Sequence, residues 1–178
     1  MANLLTAVRL ILAVPVAFGF VVSGLLSGPK LLLLISLACL TDYLDGKIAR
    51  ATNSSSAKGQ LFDHTTDFIF VTSGLAGCAI AGLINPYLPA FIVIAFSQYV
   101  IDSYFFYREK ELRMSFLGRW NGILYFGPLV LLSMSRVKLG IDFEEIMKAA
   151  ASFSTWILLV STLLSILDRS LAPLRNSA

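Results

Sequence analysis

Charge is scarce in this 178-residue chain, where 14 basic and 11 acidic residues make up only 14% of the sequence. Soluble domains carry about 25% charged residues, so the chain lacks the surface that a water-facing fold needs. Cysteine is nearly absent. Cys39 and Cys78 both fall inside apolar segments and outside metal-binding spacing, which excludes a disulfide framework and makes them small packing residues. The basic residues are punctuation between apolar blocks, with no aromatic-interleaved strands or zinc spacing around them. Anionic lipid headgroups are therefore the expected partner, and nucleic acid is not. No internal repeat or linker divides the chain, so residues 1–178 read as one domain.

Apolar sequence is abundant: 57% of the residues are hydrophobic and the mean hydropathy is +0.78. A compact soluble core of this size cannot hide so much. About 20 apolar residues cross a bilayer as a helix. Six segments meet that length: roughly 5–26, 30–49, 61–83, 88–107, 118–135 and 150–168. Turn signals or charges separate them, among them Ser27-Gly28-Pro29, Asn53-Ser54-Ser55-Ser56 and Asn85-Pro86. The expected fold is thus all-α, a polytopic membrane protein with six transmembrane helices. The first span has no small-residue cleavage site and is followed by an equally apolar second, unlike a removable signal peptide.

Six spans put both termini on one side. That side collects ten basic residues (Arg9, Lys47, Arg50, Lys58, Arg108, Lys110, Arg113, Arg119, Arg169 and Arg175) against four on the other. The positive-inside rule makes it the cytoplasmic side. Segment 137–149 mixes charged and apolar residues and is expected to lie as a short helix at the outer interface. Gly74, Cys78 and Gly82 recur every four residues, a stripe for close helix approach within the monomer or across a dimer.

The chemistry is concentrated between Asp42 and Asp67. Asp42 and Asp45 are three apart near the end of the second span, and Asp63 and Asp67 are four apart near the start of the third. Each pair shares a helix face. A short polar connection makes the two helices antiparallel neighbours, so four carboxylates converge at the cytoplasmic edge. Unpaired, they would repel one another and be costly to desolvate. Cations among them remove that cost, and short oxygen ligands suit Mg²⁺ or Mn²⁺, which usually also hold phosphate oxygens. Gly46 and Gly59 leave room for a bulky ligand near the backbone, Ala49 keeps the same face low, and Arg50 offers a guanidinium fork to phosphate. An acidic helix-end cluster paired with Lys47, Arg50 and Lys58 is the plain structural alternative.

The segment reads Asp-x2-Asp-Gly-x2-Ala-Arg-x8-Gly-x3-Asp-x3-Asp, and at every defined position it resembles the signature of the CDP-alcohol phosphatidyltransferase family. The opening Asn3-Leu4-Leu5-Thr6-Ala7-Val8-Arg9 is also similar to that family's. The resemblance implies a six-helix membrane enzyme, often a homodimer, with its site opening toward the cytoplasm and the bilayer. It implies two divalent ions on Asp42, Asp45, Asp63 and Asp67, with Asp67 as the base. Gly46, Ala49, Arg50 and Gly59 would border the CDP moiety. The implied reaction moves a phosphatidyl group from CDP-diacylglycerol to a small polar alcohol and releases CMP. A bacterial inner membrane is the expected setting.

Arg108, Arg113 and Arg119 are the candidate acceptor-binding residues, because a phosphorylated acceptor needs a cationic pocket. Glycerol 3-phosphate is the preferred acceptor, while serine and inositol phosphate stay open. Asp102, one turn after Gln98, is an intramembrane carboxylate split between a buried network and acceptor contact. Asn121 is placed at the cavity wall or a helix cap. His64 is assigned to an interface or packing role, Asp168-Arg169 to a solvated membrane boundary, and Tyr99 to interfacial anchoring and packing. A cation-binding membrane transporter is the alternative of another class; it fits poorly, since no inverted repeat or broken-helix pair is visible and the aspartates gather at one edge.

Overall fold

The computed structural model describes residues 2–51, 57–101 and 116–175, and the described residues are helical, with no strand among them. The helices are α1 (Ala2–Val21), α2 (Gly28–Ala51), α3 (Ala57–Ile80), α4 (Tyr87–Ile101), α5 (Phe116–Leu124), α6 (Phe126–Ser135) and α7 (Ile141–Arg175). Asn85-Pro86 marks a real end, while Gly82, expected in a packing stripe within the span, lies past the end of α3 and packs against nothing. Gly82 (φ 70°) closes α3, with the Leu83 N–H bonding back to the Cys78 carbonyl, a left-handed cap that glycine takes without steric cost. At the start of α4, Asn85 Oδ1 accepts from the Tyr87 N–H at 2.9 Å.

Three expectations are corrected. The segment 118–135 is two helices, broken at Tyr125. Pro128 has no N–H for the carbonyl four residues back at Leu124, and its ring crowds that carbonyl. Segment 137–149 is no separate interfacial helix. Gly140 (φ 125°) turns the chain, and from Ile141 one helix runs 35 residues through Ala149-Ala150-Ala151, strong helix formers that offer no stop. Finally, α2 and α3 are not direct neighbours. Helix α1 packs against both, and the two make little contact with each other.

The sequence of α1 explains that central position. Thr6, Arg9, Ala13, Val16 and Phe20 form a buried stripe at alternating three- and four-residue spacing. The backbones of α1 and α3 come close at Gly77, where a Cβ would lie 2.5 Å from the Ala17 carbonyl oxygen. Gly74 meets Leu129 and Val16, so the small residues of α3 serve packing within the monomer. Helices α4, α5 and α6 lie on α7, and α6 also touches α2.

The outer faces are apolar. Ile11, Phe18, Leu33, Ile94, Phe153, Trp156 and Leu164 are all exposed. In α7 the buried positions are Ala151, Thr155, Leu158, Leu159, Thr162 and Ser165, while the exposed face is large and hydrophobic. Hydroxyl and small side chains among the buried positions, with bulky apolar ones turned outward, is the arrangement of helices packed in lipid. Ile141–Leu171 is the one described helix long and apolar enough to cross a membrane by length and composition, with Leu5–Val21 and Tyr87–Ile101 as shorter apolar helices.

Candidate active site

The four aspartates meet, and they meet around an arginine. Asp42 and Asp45 come from the last turns of α2, Asp63 and Asp67 from the first turns of α3, and Arg9 from the α1 stripe between them. Arg9 Nη1 donates to Asp42 Oδ1 at 2.9 Å and to Asp67 Oδ1. Nη2 donates to Asp63 Oδ1 and stands 3.7 Å from Asp45 Oδ2. Thr6, one turn before Arg9, donates its hydroxyl to Asp45 Oδ2. The Arg9 side chain is only 1% exposed, whereas those of Asp42, Asp63 and Asp67 are 45%, 31% and 29% exposed. One wall of the cluster is therefore sealed by α1 and the other is open.

The open side faces a cavity of about 460 Å³. Asp42, His64, Asp67, Arg119, Asn121 and Arg169 supply its polar lining. Phe68, Phe96, Val71, Ile92 and Phe126 supply the apolar part, with Phe68 and Phe96 stacked at 4.1 Å between ring centroids. A ligand with a charged head and an apolar body fits both halves. Hydrogen bonds to α7 fix the walls. Ser161 Oγ donates to Asn121 Oδ1 at 2.7 Å, Tyr125 OH and Thr162 Oγ1 are 2.7 Å apart, and Gln98 Nε2 donates to Ser170 Oγ at 2.9 Å.

The donors suit a hard divalent cation. Side-chain donor atoms of Asp63, His64 and Asp67 lie within 4.8 Å of one another, and four carboxyl groups face a single guanidinium. Oxygen donors on short side chains match the preference of Mg²⁺ or Mn²⁺. The imidazole of His64, assigned to an interface or packing role from sequence, stands with this group and lines the cavity.

The other expected residues divide. Arg119 and Asn121 line the cavity. Gly46 and Gly59 are partly buried on α2 and α3 and do not border it. The side chains of Ala49 and Arg50, and Asp102, Arg108 and Arg113 altogether, lie outside the described residues. Sequence reasoning missed two arginines. Arg169, read as a solvated boundary, lines the cavity with its guanidinium 5.1 Å from the centre of the Tyr99 ring, and Tyr99 is buried in that wall, the packing half of its expected role. Arg9 enters the sequence reading as a basic residue near the membrane edge and as the last residue of the family-like opening, with no role in the site. The usable signal was its place in an otherwise apolar helix, three residues after Thr6, where an ionisable group needs a partner.

Comparison with known proteins agrees with the geometry. A 139-residue stretch covering 74% of this chain is 28% identical to cardiolipin synthase (CMP-forming) of Streptomyces coelicolor. A 122-residue stretch covering 65% of it is 32% identical to cholinephosphotransferase 1 of Danio rerio. The alignments span 64% and 27% of those two relatives. No solved structure matches. The family model for CDP-alcohol phosphatidyltransferase matches residues 1–167, nearly the whole length, and the chain belongs to that family.

Proposed function

We propose that this chain transfers a phosphatidyl group from CDP-diacylglycerol to the hydroxyl of a small polar alcohol and releases CMP. The observation that carries this reading is the convergence of the four signature aspartates around Arg9, with Asp42 and Asp67 of the four lining the polar end of an amphipathic cavity. The CMP-forming activity named for the Streptomyces relative agrees with CMP as the leaving group.

Asp42, Asp45, Asp63 and Asp67 would hold two Mg²⁺ or Mn²⁺ ions. When bound, such ions offset charge on a pyrophosphate and on the departing nucleotide. Asp67 is the base. It lines the cavity and is partly exposed, so an acceptor hydroxyl can reach it, give up its proton and attack the lipid-side phosphorus. Gly46, Ala49, Arg50 and Gly59 are assigned to the CDP moiety by the signature they belong to, with Gly46 and Gly59 outside the cavity lining. Arg119 on one cavity wall, with Arg108 and Arg113, binds an anionic acceptor, for which glycerol 3-phosphate is the first candidate; Arg169 joins them from α7. The two relatives carry different activity names, so the acceptor does not follow from them.

The chain works as a multi-pass membrane protein. Its exposed apolar faces support this, as does the separation of its charges between two ends. The aspartate cluster, Arg119 and Arg169 are at one end. At the other, Arg136 donates to the Gly19 and Phe20 carbonyls at the end of α1, and Gly28 at the start of α2 abuts the Arg136 backbone. The cytoplasm is the side of the aspartates. An amphipathic cavity at that edge lets acyl tails stay in lipid while CMP and the acceptor exchange with water.

The deciding assay is CMP release from CDP-diacylglycerol by purified protein with Mn²⁺, offering glycerol 3-phosphate, serine, inositol phosphate or no acceptor. Release stimulated by one acceptor and lost in Asp67→Asn is expected. A folded protein that neither binds CDP-diacylglycerol nor releases CMP with metal present would overturn the reading.

A further inference from the structure

Arg9 takes no part in the transfer proposed above, yet among the described residues only it and Asp45 are both charged and buried. Its guanidinium contacts the oxygens that a divalent ion would need: Asp42 Oδ1 at 2.9 Å, Asp63 Oδ1 and Asp67 Oδ1. A guanidinium and a divalent cation on the same carboxylate oxygens are like charges a few ångströms apart and repel, the more so because Arg9 itself is shielded from water. The seating of Arg9 is also incomplete. Its Nε is buried and has no hydrogen-bond acceptor, although both Nη atoms are engaged. A permanent structural bridge is expected to satisfy every buried donor, because an unmet one is costly.

We infer that Arg9 is a built-in counter-cation that keeps the four carboxylates assembled while no divalent ion is present, and that guanidinium and ion compete for Asp63 and Asp67. The inference rests on the metal reading given above. Without an internal cation the carboxylates would repel one another and splay apart between loading events. With it, the site stays ready, at a cost in metal affinity. Asp45 does not depend on Arg9 alone, since Thr6 anchors it from the same helix face. The cluster therefore keeps one fixed corner while Arg9 withdraws from the exposed pair on α3.

The test titrates chelator-stripped full-length protein in detergent with Mn²⁺, following free Mn²⁺ by electron paramagnetic resonance and unfolding by thermal melts. Wild type is compared with Arg9→Gln and Arg9→Lys. Stripped Arg9→Gln is expected to melt below wild type and to recover with saturating Mn²⁺. Its Mn²⁺ Kd is expected to be about tenfold tighter, equivalent to about 1.4 kcal/mol of removed competition. Arg9→Lys, which keeps the charge on a compact head that cannot fork between helices, should fall between. A purely structural role for Arg9 would lower the melting temperature without tightening the Kd. Wild-type or weaker Mn²⁺ affinity in folded Arg9→Gln therefore overturns the inference. Should that variant fail to fold, an Arg9→Lys Kd no tighter than wild type overturns it equally. The wild-type titration separates the two levels: no Mn²⁺ binding there sinks the metal reading itself, whereas normal binding with an unmoved variant sinks only the role of Arg9.

Discussion

At the scale of single residues, the site divides into groups that carry their role in the sequence and groups that acquire it from packing. The aspartates belong to the first kind, because three- and four-residue spacing on a helix fixes a shared face wherever the helix lies. Arg9 and Arg169 belong to the second. The positive-inside rule accounts for the charge of both without any site, and only the place of Arg9 within an apolar helix hints at a partner. Only the placement of α1 between α2 and α3 sends Arg9 into the cluster, and only the packing of α4 and α5 on α7 turns Arg169 toward the cavity. Arg119 lies between these cases, since its charge was legible but its target was not. It stands on the cavity wall and is exposed, free to reorient toward an anionic acceptor. A charge-assisted hydrogen bond to phosphate is worth about 1.5–3 kcal/mol, so Arg119→Ala should raise KM for glycerol 3-phosphate by about tenfold or more. Steady-state kinetics with glycerol as an uncharged comparison check this, because KM for glycerol should barely move. An equal loss on both alcohols would point to a damaged cavity and not to a lost anion contact.

At the scale of elements, ends were legible and breaks were not. Asn85-Pro86 announced the turn between α3 and α4 because Asn85 supplies a side-chain acceptor, whereas Gly82, read as part of a packing stripe, supplies a positive φ just past the end of α3. The break at Tyr125 was hidden because Gly127-Pro128 sits inside an unbroken apolar run, and hydropathy counts the residues without asking whether the backbone continues. The central place of α1 was hidden as well, since adjacency in the chain favoured pairing α2 with α3. Gly77 holds the α1–α3 approach that overrode it. A valine there would drive its side chain into the Ala17 backbone, which cannot yield as a flexible side chain would. Gly77→Val should lower the thermal melting temperature and, by moving α1 off α3, disturb the Arg9 contacts with Asp63 and Asp67 and change Mn²⁺ affinity. Gly127→Ala is the control. Its Cβ would meet nothing within 4 Å, so it should leave binding unchanged and stabilise α6 by up to about 1 kcal/mol. Melting curves and Mn²⁺ titrations of the pair check both expectations, and equal behaviour of the two glycines would remove the close approach from the account.

At the scale of the whole molecule, the governing fact is that large apolar side chains face outward on α1, α2, α4 and α7 while buried positions hold Thr6, Arg9, Asp45 and Asn121. A water-soluble monomer would not leave such faces uncovered, and hydrocarbon covers them at no cost. The length of α7 sets the frame. Thirty-five residues rise about 52 Å, well beyond a hydrocarbon core of about 30 Å, so part of the helix must stand outside it. The start is the polar end. Asp142, Glu144, Glu145 and Lys148 fall in the first eight residues, and Lys148 pairs with Glu144 at 2.5 Å with both side chains about half exposed. On the multi-pass arrangement proposed above, the turn at 136–140 belongs to the face opposite the aspartates, and Lys138 in it is exposed. On this arrangement, single cysteines introduced into a Cys39→Ala, Cys78→Ala background as Lys138→Cys and Lys47→Cys should label from opposite sides. A membrane-impermeant maleimide added to intact cells should modify the first and leave the second untouched until the membrane is opened. Modification of both from the same side would place the aspartates and the 136–140 turn on one face, which an odd number of crossings between them does not permit.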